Sequence, residues 1–168
     1  VTLSSGFSSG EMQKIDIASN YRLSLWRTGL SMFLSEPVNG IGPRGYRHVY
    51  AEYADPTDFW LRDGENGQTH PHLQLLEIAV ETGFVGLTGF LLVYLFFLRE
   101  IFRETKISMK AVWILAVLVA WFPLNTHLAF YGSYWASFVW LLIPLALAQP
   151  NVGLSKKKGF NLGKGYSE

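Results

Sequence analysis

From Gly83 to Leu98 the chain is apolar apart from one threonine and one tyrosine, and the run breaks at Arg99-Glu100. Sixteen helical residues reach roughly 24 Å, short of a hydrocarbon core of about 30 Å, so the helix must begin earlier. Pro71 suits a first helical turn, where its missing N–H costs nothing, which predicts a start near His70 to His72. Glu77 and Glu81 would then stand at an interface or in a protein-lined cavity. A second apolar run, Ala111 to Phe130, is long enough to span, with Pro123 expected to kink it and Asn125, Thr126 and His127 near its far end. A third, Tyr134 to Ala148, is short and contains Pro144. The pattern predicts an all-α integral membrane protein of about three transmembrane helices.

Before these runs the chain is mixed and polar. Asn20 to Glu36 reads as an amphipathic helix, with Leu23, Trp26, Leu30, Phe33 and Leu34 at three- and four-residue spacing, Asn20 as N-cap and Pro37 as terminator. Arg22 falls close in angle to Trp26, Gly29 and Phe33, along the apolar face. It could snorkel or pair with a carboxylate, or it could grip a phosphate through its planar fork. The following EPVNGIGPRGYRHVY holds Gly40, Gly42 and Gly45 with Arg44 and Arg47. It lacks the Gly-Lys-Ser/Thr ending of a P-loop and reads first as a turn. Ala51 to Gln68 reads as an irregular loop or lid.

Charge sets an expected orientation. Arg99, Arg103, Lys106 and Lys110 lie between the first two runs, and Lys156, Lys157, Lys158 and Lys164 follow the third. The positive-inside rule makes both segments cytoplasmic. The expected organisation is an outward loop segment (1–72), a membrane bundle (73–149) and a basic cytoplasmic tail (150–168). The first 72 residues carry six basic and eight acidic side chains, so this segment is mildly acidic. Trp113, Trp121, Trp135 and Trp140 are candidate interface anchors. The absence of cysteine excludes a disulfide framework and thiolate catalysis. The opening Val1, without a signal-like run, points to the C-terminal part of a longer chain.

Three chemistries fit His70-Pro71-His72. With Asp55, Asp58, Asp63 or Glu65 the histidines could bind a divalent ion, though the spacing is generic. They could cap the helix and bond loop carbonyls. Or they could work at a helix N-terminus, whose positive end keeps an imidazole neutral and attracts phosphate.

Two stretches resemble one family, the O-antigen ligase and polymerase superfamily of bacterial envelope glycosyltransferases. One is the arginine, tryptophan and Pro-x-x-Gly-x-Gly pattern in YRLSLWRTGLSMFLSEPVNGIGPRGY; the other is HPHLQLLEIAVETGFVG, with its histidine, spacer and paired glycines. His72 is followed by Leu73 where ligases carry Asn, Ser or Gln, which leaves a polymerase open. The resemblance implies the C-terminal portion of a C-type glycosyltransferase-like fold in the bacterial inner membrane, multi-pass, with residues 1–72 periplasmic and the C-terminus cytoplasmic. It implies inverting transfer at the periplasmic face from undecaprenyl diphosphate to a sugar hydroxyl, on lipid A core for a ligase or on another glycan repeat for a polymerase. It calls for membrane lipid but no metal, cofactor or nucleic acid. It makes His72 the general base and Arg22 a diphosphate ligand, with His70 beside the substrate. Arg44, Arg47 and Arg62 are candidates for a second phosphate-binding arginine, Arg47 first. The competing reading is a transporter or scaffold whose external loop binds glycan or a protein partner; a transporter would place its ionisable groups deeper in the spans.

Overall fold

The computed structural model describes residues 9–104, 108–126 and 130–149. Within them the chain forms six α-helices and one short 3-10 segment: α1 (Ser9–Ala18), α2 (Arg22–Ser35), α3 (Tyr46–Tyr53), the 3-10 segment Phe59–Gly64, α4 (Gln74–Arg103), α5 (Met109–Ala120) and α6 (Ser133–Leu147). Two apolar cores share α4. Ile78, Phe90 and Phe97 of α4 pack with Ile114 and Val117 of α5 and Val139 and Leu142 of α6. Val80, on another face, joins Leu25 and Met32 of α2 and Tyr46 and Tyr50 of α3.

The expectation of three spans fails. Among the described residues only α4 is long and apolar enough to cross a membrane, by length and composition. At 12 and 15 residues, α5 and α6 reach about 18 and 22 Å, against about 30 Å of hydrocarbon. The apolar run from Ala111 is continuous in sequence, but its helix stops at Ala120 instead of kinking and continuing. Pro123 has no N–H for a helical bond and disfavours the α conformation in the residue before it. With a single qualifying helix, the multi-pass inner-membrane topology and the periplasmic assignment of residues 1–72 are withdrawn. So is the idea of a multi-pass enzyme acting at a periplasmic face. The tail 150–168, His127 and Lys106 lie outside the described residues.

Between α4 and α5, Lys110 bonds Glu100 at 3.1 Å and lies 3.6 Å from Glu104, and Glu100 also takes Arg103 at 3.1 Å. Several charges expected to report orientation therefore tie two helix ends together. Trp121 is buried against Phe90, Phe130 and Trp140. Trp113 and Trp135 pack at the edge of the same core, while Trp140 stays largely exposed.

Helix α2 forms as expected and ends before Pro37, but its apolar face is turned. The buried positions are Leu25, Thr28, Gly29 and Met32, whereas Leu30 and Leu34 are exposed. Small residues decide this: Gly29 meets Leu76 of α4 so closely that an added Cβ would lie 3.1 Å from Leu76 Cδ2. Asn20 is not the cap. Tyr21 occupies that position in the left-handed region, and Asp16 of α1 accepts the Ser24 N–H at 3.1 Å.

Residues 51–68 are more ordered than a free loop. Asp58 accepts from Tyr50 Oη at 3.1 Å and from Trp60 N at 2.8 Å. Trp60 Nε1 donates to Tyr21 O at 3.0 Å, and the Tyr21 and Phe59 rings stack at 3.7 Å.

Candidate functional site

The site is built around a break in α4. Gly83 has φ 61° and ψ −159°, outside helical values, so Phe84 and Val85 no longer donate to Val80 and Glu81. Each orphaned group finds a partner in the segment after α2: Ile41 N donates to Val80 O (2.9 Å), Gly42 N to Glu81 O (3.1 Å), Phe84 N to Pro37 O (2.8 Å) and Val85 N to Val38 O (3.2 Å). Buried backbone groups must be paired, and here these four find their partners far away in sequence.

The crossing leaves no room for side chains. A Cβ on Gly83 would collide with the Val38 carbonyl group, and one on Gly40 (φ 69°) would lie 2.5 Å from Thr82 N. Gly86 faces the Thr82 side chain with equally little space. The Pro-x-x-Gly-x-Gly segment and the paired glycines of HPHLQLLEIAVETGFVG are thus two halves of one joint.

The joint presents two buried carboxylates. Glu81, 1 % exposed, accepts the Arg44 N–H just ahead of α3. The glycine-rich turn does offer a backbone N–H to a carboxyl group, and that group is the protein's own. Glu77, 2 % exposed and one turn earlier, accepts from Phe130 N (2.9 Å) and Tyr131 N (3.4 Å), anchoring the approach to α6. Arg47, on the first turn of α3, lies within electrostatic reach of both carboxylates.

The histidines precede α4 rather than opening it. The helix begins at Gln74, after an extended Leu73, and His72 sits in the left-handed region at φ 50°. That conformation is uncommon for a residue with a side chain and occurs most often where the surroundings enforce it. It brings the His72 ring back over His70, with centroids 4.1 Å apart. Thr69 Oγ1 lies 3.0 Å from His70 Nδ1. Burial, with His72 and Arg47 nearby, pushes the His70 imidazole down to about 4, so it is neutral at pH 7. Pro71 is buried, and its carbonyl accepts Trp26 Nε1 at 3.1 Å.

The α4 N-terminus is not an anion site. Gln74 N donates to Asn125 O (3.0 Å) and Leu75 N to Pro123 O (3.1 Å). The turn that ends α5 occupies the N–H groups on which the phosphate expectation rested.

Of the expected site residues, Arg47, His70 and His72 come together. Arg22 stands one helical turn before Trp26 on α2, half-buried, and it is Trp26 that bonds the histidine turn, at the Pro71 carbonyl. Arg44 and Arg62 are exposed, and Arg62 lies over the Phe59 ring at 5.1 Å. Asp55 is engaged with Thr57 and Asp58 with Tyr50 and Trp60. Sequence reasoning missed the roles of Glu77, Glu81 and Gln74. The burial of charged and amide groups at i, i+3 and i+7 of an otherwise apolar helix was the available signal.

The family model for O-antigen ligases matches residues 3–91, which contain the joint, both histidines and Arg47. The chain is also similar to a Rickettsia conorii protein named "Putative polysaccharide ligase", 25% identical over 92 residues. That match covers 55% of this chain and 22% of the relative, so the chain aligns with about a fifth of that protein's length. No solved structure matches. With more than half of its length matched by the family model, the chain belongs to the O-antigen ligase family.

Proposed function

We propose that the chain contributes the phosphate- and hydroxyl-handling part of a polysaccharide ligase or polymerase, which moves a glycan from undecaprenyl diphosphate to a sugar hydroxyl. The observation that carries this reading is the convergence of Arg47 with His70 and His72, where Arg47 Nε and His70 Nε2 are buried without a hydrogen-bond partner among the described residues. A buried donor without a partner costs about 1–3 kcal/mol. Groups kept in that state beside a histidine turn suit a ligand that supplies the missing bonds.

In this reading the acceptor hydroxyl oxygen attacks the anomeric carbon. A new C–O bond forms as the bond from that carbon to the diphosphate oxygen breaks, and the electron pair leaves with the diphosphate. His72 takes the hydroxyl proton, a task open to a neutral imidazole within hydrogen-bond reach. Arg47 stabilises the leaving diphosphate, joined by Arg22 from α2. The ring of His70 backs that of His72 and orients it.

The test is transfer by the purified protein from an undecaprenyl-diphosphate glycan to lipid A core and to a second lipid-linked repeat. Product on lipid A core means a ligase; an elongated lipid-linked glycan means a polymerase. Arg22→Ala, Arg47→Ala and His72→Ala are each expected to lower the rate by about 10²–10³ while keeping the wild-type Tm. Wild-type rates in Arg47→Ala and His72→Ala would refute the site. A chelator is expected to leave the rate unchanged, and activity lost to it and restored by a divalent ion would reinstate the metal reading.

A further inference from the structure

One side of α4 carries three buried polar side chains, Gln74, Glu77 and Glu81, at i, i+3 and i+7. Two of them have structural duties: Glu77 holds the Phe130 and Tyr131 amides, and Glu81 holds the Arg44 amide. Gln74 has none. It is 1 % exposed, and neither Nε2 nor Oε1 has a hydrogen-bond partner among the described residues. Its backbone N–H is already taken by Asn125 O, so the side chain is not needed to cap the helix.

A buried primary amide without partners is costly, and natural cores seldom retain one. Gln74 follows His72 by two residues and precedes Glu77 by one turn. Arg47, His70 and His72 are half-buried, whereas Gln74 and Glu77 are fully buried. Arg47, a permanent cation, suits an anion, whereas the neutral amide of Gln74 does not.

We infer that Gln74 is a further substrate-contacting residue, whose amide exchanges hydrogen bonds with a glycan hydroxyl beside the histidine turn while the phosphate stays at Arg47. An amide offers a donor and an acceptor together, which matches a hydroxyl; an ionised phosphate oxygen only accepts. The inference rests on the glycan-transfer reading, and the hydroxyl can belong to the donor sugar or to the acceptor.

Gln74→Leu tests it. The apolar side chain removes an unsatisfied amide, so the Tm is expected to equal or exceed that of the wild type. The KM for one glycan is expected to rise about tenfold, the loss of one hydrogen bond, with kcat little changed. Separate titrations of donor glycan and oligosaccharide acceptor identify which one carries the hydroxyl. Binding of bare undecaprenyl diphosphate, followed by calorimetry, is expected to be unaltered. Gln74→Met, unbranched and similar in length, provides the same reading if leucine disturbs packing. Unchanged KM for both glycans in a folded variant overturns the inference, as does equal weakening towards bare undecaprenyl diphosphate. The two readings fail separately. Normal transfer by Arg47→Ala with a raised KM in Gln74→Leu removes the phosphate assignment and leaves the hydroxyl contact standing. Glycan binding that Gln74→Leu weakens, without transfer by the wild type, removes the transferase reading alone.

Discussion

His70 shows how a single side chain links stability to pH. Its imidazole titrates near 4 in the folded protein and near 6.5 when exposed, because burial and the positive field of Arg47 and His72 oppose a second charge. Between these values the unfolded chain binds a proton that the folded chain refuses. Stability therefore falls as pH drops from 6.5 towards 4, by on the order of 1–3 kcal/mol from this residue, and is unaffected by it above 6.5. His70→Gln is expected to flatten the Tm-against-pH curve in that window, and an unchanged slope would show that other groups set it. The sequence made both histidines visible as candidates, but not the left-handed His72 that folds one ring over the other. That conformation follows from Pro71 being tied to Trp26, 45 residues earlier in the chain.

Among the helices, the decisive feature is the joint between α4 and the segment after α2. Gly83→Ala combines a backbone conformation that side chains avoid with a collision against Val38, and is expected to cost more than about 3 kcal/mol. Gly40→Ala, equally crowded against Thr82 N, should be comparably damaging. Gly89, with nothing within 4 Å of an added Cβ, is the control: Gly89→Ala is expected to stabilise by up to about 1 kcal/mol. Thermal denaturation of the three variants checks the order. The glycines and Pro37 were legible as a motif, because each punctuates a periodic run. That Gly40 and Gly83 belong to the same crossing was not, since neither spacing nor periodicity reports which distant backbones touch. The apolar face of α2 was misread for the same reason, as Thr28 and Gly29 look polar or neutral until α3 and α4 close on them.

Across the whole molecule, α4 is the common strut, with one core on each side and a buried carboxylate serving each neighbour. Glu77→Ala should leave the Phe130 and Tyr131 amides unpaired, and Glu81→Ala the Arg44 amide. Each substitution is expected to cost about 1–3 kcal/mol and to speed hydrogen exchange at those particular amides. Exchange that rises uniformly over the chain instead would argue against local anchoring. The same architecture explains the overturned membrane topology. Apolar runs in sequence report burial in protein and burial in lipid alike, and the turn at Trp121–Asn125 uses the second half of one such run to cap α4.

Local chemistry alone was enough to specify that the chain is helical, that α2 stops before Pro37, and that α6 lies close to Tyr134–Ala148. Those properties follow from side-chain periodicity, proline and the kinds of groups present, all of which act over a few residues. Tertiary structure alone decided that α4 breaks at Gly83, that its first two N–H groups are consumed by Asn125 and Pro123, that Glu81 fills the glycine-rich turn, and that Gln74 is left without a partner among the described residues. Each of these is a hydrogen bond made or missing between residues far apart in sequence, and such pairings are settled only when the helices pack.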